Sequence, residues 1–333
     1  MTVTQAQAQQ TLVLATRGSP LAVSQSQWVA NQVEQALPGI RVELSTITTQ
    51  GDVILDRPLR EVGGKGLFTK GVELALLEGA ADLAVHSLKD MDSVGPDGLE
   101  IIAYPKREDP RDVVVTMDGS SLAAMDQNAR IGTGGLRRVA QLGGVSPHFQ
   151  LLPLRGNINS RLEKLAAGQF DAIMLAAAGL KRGGFEGRIG NGAIAVDQIV
   201  PAPGQGILAV QMPTDHPLKS VVADALNDLT TQCQAAAERA FLSHIGGNCH
   251  SPIGAYCAYV AGQEQAKMTV YLAPTLLGEN KPLDSFSILE QTWRCTLSFS
   301  PQAGIEAFVS AGQQLAEKAK REAPHILRDW DQQ

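Results

Sequence analysis

Short apolar runs rich in β-branched residues alternate with longer stretches of helical periodicity through the first two thirds of the chain. The short runs predict buried strands and the longer stretches predict helices. The predicted strands are residues 11–15, 42–47, 82–86, 112–116, 150–154 and 171–175. The predicted helices are residues 21–37, about 67–77, a segment after Gly135 and about 157–167. Strands that alternate with helices indicate an α/β protein with largely parallel sheets.

The pattern changes after about residue 230. A predicted helix at about 234–245 precedes three strand-like runs, at 253–259, 268–273 and 292–299, and a last helix lies at about 303–321. Strands and helices that are segregated in this way indicate a small α+β domain.

Two polar segments that contain proline interrupt the α/β pattern, at residues 107–112 and 201–206. Such segments mark connections rather than elements. We call them the first and second interlobe connections, because two of them predict a chain that crosses between two lobes and returns. The expected division is a first lobe of residues 1–106 and 204–228, a second lobe of 107–203, and a third domain of 229–333.

The composition and a few local features of the sequence exclude several classes of protein and site. Hydrophobic residues make up 44% of the chain and charged residues 19%, which is ordinary for a folded protein. The longest apolar run, residues 172–178, is too short to cross a membrane. The first ten residues lack the basic start and apolar core of a signal peptide, so we expect a cytoplasmic protein. The four cysteines form no CxxC pair, so no metal site is predicted.

Positive charge is concentrated in one segment of a chain whose net charge is −6. Residues 130–188 hold nine basic and three acidic side chains. A basic segment in an acidic protein predicts a local site for small anions, and no nucleic-acid partner. Within it, IGTGGLRR (131–138) places Thr133, Gly135, Arg137 and Arg138 where a strand leads into a helix. Backbone N–H groups, helix dipole and guanidinium groups there suit a carboxylate or phosphate. A plain helix start with solvated arginines remains the alternative.

Further candidates lie at other strand ends and in loops. Arg155, Gly156 and Arg161 repeat the same arrangement in LRGNINSR (154–161), with Asn157 or Asn159 as a helix cap, although surface ion pairs would also explain these arginines. Lys65 lies in the glycine-rich GGKGLFTK (63–70), where an exposed lysine is the simpler interpretation.

Three polar residues lie at or just after the end of the strand predicted at 82–86. In HSLKDMD (86–92), Lys89 and Asp90 supply a cation and a carboxylate at a strand end, and His86 fits a structural role better than a catalytic one.

Cys249 lies in a Gly-Asn turn after a helix, where a thiol can act as a nucleophile, but most cysteines are small buried hydrophobes.

Nine strings together resemble the porphobilinogen deaminases, also called hydroxymethylbilane synthases. They are ATRGSPLA (15–22), GGKGLF (63–68), HSLKD (86–90), REDPRD (107–112), LRR (136–138), LRGN (154–157), AAAGLKR (176–182), PGQG (203–206) and CHSPIG (249–254). The resemblance implies two lobes like those of type II periplasmic binding proteins, a small C-terminal α+β domain, and an active site between the lobes. It also implies a monomeric transferase of tetrapyrrole and haem biosynthesis. This enzyme would deaminate four porphobilinogen molecules and join them into hydroxymethylbilane on a covalent dipyrromethane cofactor.

The resemblance assigns roles residue by residue. Asp90 is the implied catalytic residue, and Cys249 the implied attachment point of the cofactor. The other implied cofactor-binding residues are Lys89, Asp90, Thr133, Gly135, Arg137 and Arg138. The implied substrate-binding residues are Arg17, Ser19, Lys65, Arg155, Gly156, Arg161 and Arg182.

The chain departs from the family pattern at three places. Gly134 and Gly135 replace two serines of the family's TSSxRR string, Asp92 replaces a proline, and Glu61 stands where some members have lysine. A non-catalytic carboxylate-binding protein of the same fold, or a degenerate deaminase, is the alternative function. Such a binder would need neither Asp90 nor Cys249.

Overall fold

A computed structural model describes residues 10–49, 66, 68–146, 148–247, 251–275 and 291–330. Twelve described strands form three sheets. The strands are β1 (Gln10–Arg17), β2 (Ile40–Ile47), β3 (Leu83–Ser87), β4 (Leu99–Ala103), β5 (Asp112–Val115), β6 (Arg130–Thr133), β7 (Gln150–Pro153), β8 (Ala172–Ala176), β9 (Leu208–Pro213), β10 (Ile253–Ala258), β11 (Ala266–Leu272) and β12 (Trp293–Phe299). None of the helices in these ranges is long and apolar enough to span a bilayer.

The described α-helices pack on the faces of these sheets. They are α1 (Pro20–Ala36), α2 (Lys70–Leu77), α3 (Leu136–Val145), α4 (Ile158–Ala166), α5 (Ala177–Arg182), α6 (Lys219–Leu226), α7 (Leu229–Ile245), α8 (Ile305–Glu322) and α9 (Pro324–Trp330). Two starts follow directly from capping residues. The Ser19 hydroxyl accepts a hydrogen bond from Ala22 N at 3.3 Å with Pro20 in the first turn, and Asn157, not Asn159, caps α4. The helix predicted from about residue 67 begins at Lys70, and Leu67 lies outside the described residues.

Each of the two lobes is built on a mixed sheet. The first sheet has the order β2-β1-β3-β9-β4, and the second has the order β5-β8-β6-β7. In the first sheet β9 lies antiparallel to β3 and β4, and in the second β5 lies antiparallel to β8. The remaining neighbours are parallel. The predicted pair of α/β lobes is therefore confirmed, and so are the largely parallel sheets, since only β5 and β9 run opposite to the other strands of their sheets.

The two antiparallel strands have a common physical origin. Parallel strands of both lobes end where the lobes meet, so a chain that crosses from one lobe enters the other at the carboxyl edge of its sheet. It must then run away from that edge. β5 is the first strand after the first interlobe connection and β9 is the first after the second, and both run in this opposite direction.

The C-terminal domain is the predicted α+β unit. Its antiparallel sheet has the order β10-β11-β12, and α7 and α8 pack together against it. Phe308 of α8 is buried in this core between the rings of Tyr259 and Phe299, whose centroids lie 4.9 and 5.2 Å away. Edge-to-face contacts of this kind add stabilisation beyond the apolar area that is buried.

The two interlobe connections run side by side. Glu108 N donates to Gly206 O at 3.0 Å, which joins one connection to the other. Gly206 has a φ of +88°, and a Cβ there would clash with Glu108 O. Only glycine combines this left-handed backbone with so close an approach.

A buried carboxylate ties the third domain to both connections. Glu238 of α7 accepts hydrogen bonds from Arg107 Nη1 at 2.7 Å, from Gly204 N at 2.6 Å and from Cys257 N at 2.8 Å. We call these four residues the three-domain junction. Glu238 thereby links α7 to both connections, and removing one partner of such a buried ion pair would leave an uncompensated charge.

Candidate active site

The carboxyl ends of strands from both lobes surround a cavity of about 680 Å³. Its described lining brings together nine residues that the sequence singles out, from β1, β3 and the loops and helices that follow β6, β7 and β8. They are Arg17, Ser19, Lys89, Asp90, Arg138, Arg155, Gly156, Arg161 and Arg182. Positions separated by up to 165 residues in sequence thus face one space, as expected for ligand sites at carboxyl ends of strands.

Five other predicted residues are not part of this lining as described. Lys65 and Cys249 lie outside the described residues. Thr133 and Gly135 form the turn before α3, where Gly135 N donates to the Thr133 hydroxyl at 3.4 Å. Arg137 is buried and points to Asp112 instead of the cavity, so its predicted contact with a cofactor stays a prediction.

Arg137 and Arg138 share one buried carboxylate. Arg137 Nη1 donates to Asp112 Oδ2 at 2.7 Å, and Arg138 donates to Asp112 Oδ1 through Nε at 3.0 Å and Nη2 at 2.8 Å. Burial alone would raise the pKa of the Asp112 carboxyl, but the two guanidinium groups hold it well below its usual range. Asp112 therefore stays ionised and fixes Arg138 at the cavity wall. The alternative of two solvated arginines is wrong.

Lys89 and Asp90 occupy a short 3₁₀ turn, Leu88–Asp90, directly after β3. Burial lowers the pKa of Lys89 to about 8, with Arg138 and Arg137 acting in the same direction and Asp90 and Asp112 opposing them. An ammonium group with this pKa can hold or release a proton close to neutral pH.

Two arginines of the second lobe are also held in place. Arg161 Nε donates to Gly156 O at 2.7 Å, and Arg182 Nη2 donates to Gly206 O at 2.9 Å. Burial lowers the pKa of each to about 10, and for Arg161 the nearby Arg138 and Arg155 add to the effect. Both remain charged at neutral pH. Cations that lie close enough to lower one another's pKa favour the binding of an anion between them.

Two further side chains, Phe68 and His86, lie near these cations. Arg17 stacks over the ring of Phe68 with 4.3 Å between Cζ and the ring centroid, so Phe68 orients a cavity cation. His86 is buried, its Nε2 lies 3.0 Å from Gln211 Oε1, and burial lowers its pKa to about 4. His86 is therefore neutral and structural, as its sequence position suggested.

Six cations and a single carboxylate, Asp90, are the charged groups of the lining that the structure describes. This imbalance suits a ligand with several carboxylate groups, since each charge-assisted hydrogen bond contributes about 1.5–3 kcal/mol. Asp90 is then placed to stabilise positive charge on a bound molecule.

The glycine pair at 134 and 135 provides a matched test of the local packing. A Cβ at Gly134 would lie 2.8 Å from the backbone oxygen of Leu154, whereas one at Gly135 would meet only Arg138 Cδ at 3.9 Å. We expect Gly134→Ser to destabilise the protein by roughly 1–3 kcal/mol, because overpacking forces the backbone to shift. Gly135→Ser can cap α3 and should leave stability nearly unchanged. Urea unfolding of both variants checks this, and equal midpoints would contradict it.

Solved structures similar to this chain include periplasmic binding proteins. One is described as a periplasmic substrate-binding protein of an ABC transporter from Coxiella burnetii, with a TM-score of 0.42 and 14% identity over 64% of this chain and 91% of that chain. Another is the methionine-binding protein MetQ, with a TM-score of 0.41 and 12% identity over 67% of this chain and 90% of that chain.

Comparisons of sequence are far more specific. A family model described as "Porphobilinogen deaminase, dipyromethane cofactor binding domain" matches residues 12–219, and one described as "Porphobilinogen deaminase, C-terminal domain" matches residues 232–288. A porphobilinogen deaminase of Roseiflexus sp. is 46% identical over 77% of this chain and 84% of its own length. One from Syntrophotalea carbinolica is 43% identical over 96% of both chains. With a family model that matches more than half of its length, the chain belongs to the porphobilinogen deaminase family.

Proposed function

We propose that this chain deaminates four porphobilinogen molecules and joins them head to tail into hydroxymethylbilane, on a dipyrromethane cofactor bound through a thioether to Cys249. The observation that carries the proposal is the cavity between the lobes, where six cations surround the carboxylate of Asp90. Family membership supports the same activity over a non-catalytic carboxylate-binding protein.

The residues present fit the cofactor. A dipyrromethane made from two porphobilinogen units brings two acetates and two propionates, and Lys89 and Arg138 line the cavity as cationic partners for them, beside the predicted substrate residues Arg155 and Arg161. When bound, the cofactor supplies the pyrrole carbon from which the chain grows. Arg137 acts through Asp112 on Arg138, while Thr133 and Gly135 shape the turn before α3.

Our proposed partners for the carboxylates of incoming porphobilinogen lie on the same cavity and are Arg17, Ser19, Arg155, Gly156, Arg161 and Arg182, together with Lys65 from the predicted site. Loss of ammonia from porphobilinogen leaves positive charge on the substrate. The Asp90 carboxylate stabilises that charge, because a fixed anion in a partly buried site acts without reorganisation. Lys89, with a pKa of about 8, is suited to hold or release a proton beside it.

One measurement tests the covalent part of this proposal. Under denaturing conditions the intact mass of the purified protein should exceed the sequence mass by two linked porphobilinogen-derived units, located on the Cys249 peptide. Cys249→Ser should carry no adduct, while Cys233→Ser, at a buried thiol of α7, should carry it as the wild type does. A mass that stays bare after incubation with porphobilinogen would indicate a degenerate relative that only binds carboxylates.

The Lys89 charge predicts a pH dependence of cofactor uptake. Its pKa of about 8 means that the ammonium is charged below pH 8 and neutral above it. We expect apoprotein incubated with porphobilinogen to gain the dipyrrole roughly three- to tenfold more slowly at pH 9 than at pH 7, because the neutral amine no longer attracts carboxylates. Lys89→Arg, which stays charged, should lack this loss. Intact mass followed over time measures uptake, and the same decline in both proteins would contradict the assignment.

We also propose that the protein works as a monomer, as the resemblance to the family implies, and in the cytoplasm, as the sequence predicts. We propose the domain division predicted from the sequence, 1–106 with 204–228, 107–203 and 229–333. It is supported by the membership of β9 in the first sheet and of β5 to β8 in the second.

A further inference from the structure

We propose that Gln205 is a positioning residue that couples Lys89 of the first lobe to the Asp112–Arg138 pair of the second through its single buried side-chain amide. The inference deepens the proposed function, because Lys89 and Arg138 are the cations assigned to the cofactor. Gln205 belongs to the PGQG string of the second interlobe connection, which the sequence singles out only as a connection.

The amide of Gln205 bridges three groups. Its Nε2 donates to Pro110 O at 2.7 Å and to Asp112 Oδ1 at 2.9 Å. Its Oε1 accepts a hydrogen bond from Lys89 Nζ at 3.5 Å. This orientation of the amide is the favourable one, since the reversed amide would direct its NH₂ group at an ammonium and its oxygen at two acceptors. Gln205 is only 1% exposed, so water does not replace these partners.

The backbone holds the amide where it is. Gly204 and Gly206 have φ values of +74° and +88°, and a Cβ at Gly204 would lie 2.8 Å from the Leu88 side chain. The intervening carbonyl of Gln205 accepts from Arg107 Nε at 3.0 Å. The left-handed conformations of Gly204 and Gly206 therefore place Gln205 between the lobes, and the hydrogen bond from Arg107 holds its backbone in that position.

This placement lets one side chain act on both lobes. The charged groups that face Lys89 are Asp90 from its own turn, Arg138 and Arg137 from α3, and Asp112 from β5. Oε1 of Gln205 adds an acceptor that favours the ammonium form, and Nε2 holds the carboxylate that fixes Arg138. Because Gln205 lies in the second interlobe connection, it holds Lys89 of the first lobe at a fixed position relative to Arg138 of the second.

The test measures the protonation of Lys89 directly in apoprotein of known mass, without turnover. Trace acetylation with acetic anhydride from pH 6 to 11, followed by peptide mapping, reports a titration midpoint for each lysine. The variants are Gln205→Met, which removes the amide but keeps the chain length, and Gln205→Asn, which keeps an amide on a side chain one methylene shorter. The matched control is Gln141→Met, since Gln141 is also a buried amide but does not contact Lys89. Its Oε1 accepts from Val200 N at 2.7 Å and its Nε2 donates to Val200 O at 3.0 Å, and Val200 directly precedes the second interlobe connection.

We expect Gln205→Met to move the Lys89 midpoint about half a pH unit or more to lower pH, and Gln205→Asn, whose amide falls short of Lys89, to move it in the same direction. Lys164 and Lys181 should be unaffected in both variants, and Gln141→Met should leave the Lys89 midpoint unchanged. Unmoved midpoints in folded Gln205 variants would overturn the proposal. If Gln205→Met does not fold, Gln205→Asn decides alone, with an unchanged or higher midpoint overturning the proposal. A protein that shows the shifts yet never takes up a dipyrrole would overturn the proposed function and leave this inference standing.

Discussion

Asp90→Asn is expected to lower the turnover of porphobilinogen by roughly a hundred- to thousandfold while the cofactor stays attached. Asparagine has nearly the same shape as aspartate but carries no charge. Asp90 is the one carboxylate among the described residues of the cavity lining, and the six cations there cannot replace it. The loss should therefore appear in kcat, since the stabilised charge develops only as ammonia leaves.

The measurement is the rate of porphobilinogen consumption by protein whose intact mass confirms the bound dipyrrole. Asp92→Asn is the matched control, because Asp92 lies two residues away and contacts Arg239 through its backbone oxygen, which the substitution preserves. Near-normal turnover of Asp90→Asn would assign charge stabilisation to another group. An equal loss in Asp92→Asn would mean that the whole segment, and not one carboxylate, is responsible.

Asp112→Asn is expected to lower the free energy of unfolding by about 3–5 kcal/mol, because it leaves Arg137 and Arg138 buried without a counter-charge. Asp112 has no exposed surface, and both guanidinium groups bond to it. Its pKa in the folded protein lies below the unfolded value, so its stabilising contribution is complete above pH 4 and is lost as the pH falls through the folded value.

Urea unfolding at pH 7 measures this loss, with Asp171→Asn as its control. Asp171 also pairs with an arginine, Arg130, at 2.8 Å, but both side chains are more than 40% exposed. Exposed pairs contribute little, so the control should shift the midpoint far less. If wild type and Asp112→Asn had the same midpoint between pH 5 and 8, the buried pair would not be a source of stability.

Elements with a local signal could be predicted from the sequence. Ser19 with Pro20, and Asn157, mark helix starts by capping chemistry that needs no distant partner. β4 and β9 were not predicted, because β9 pairs with strands more than a hundred residues earlier and its neighbours decide its structure. The antiparallel direction of β5 and β9 likewise follows from where the chain re-enters a lobe, which no local pattern encodes.

The residues of the candidate site also fall into those that the sequence could predict and those that it could not. Arg138, Arg155 and Arg161 could be found because each stands near a strand end next to glycine or a helix start. The sequence identifies Asp112 only as the end of the first interlobe connection and the start of a strand, and Gln205 only as part of the second connection. Their importance comes from burial and from partners 25 to 116 residues away. The one signal for Asp112 in the sequence is its position, as a carboxylate directly after the polar REDPR segment.

The hydrogen bond between Glu108 and Gly206 has a consequence for how long a product the site can hold. We expect two adjacent, bonded connections to bend together more easily than they twist, which would leave the lobes one easy rotation of the hinge type. In such a rotation, atoms move in proportion to their distance from the axis. Gly206 and Ile207, at the connection, form part of the cavity wall and so move least, while the far rim opens widest. We therefore expect space for each added pyrrole to be gained at the rim, with Lys89 and Asp90 kept in nearly constant register.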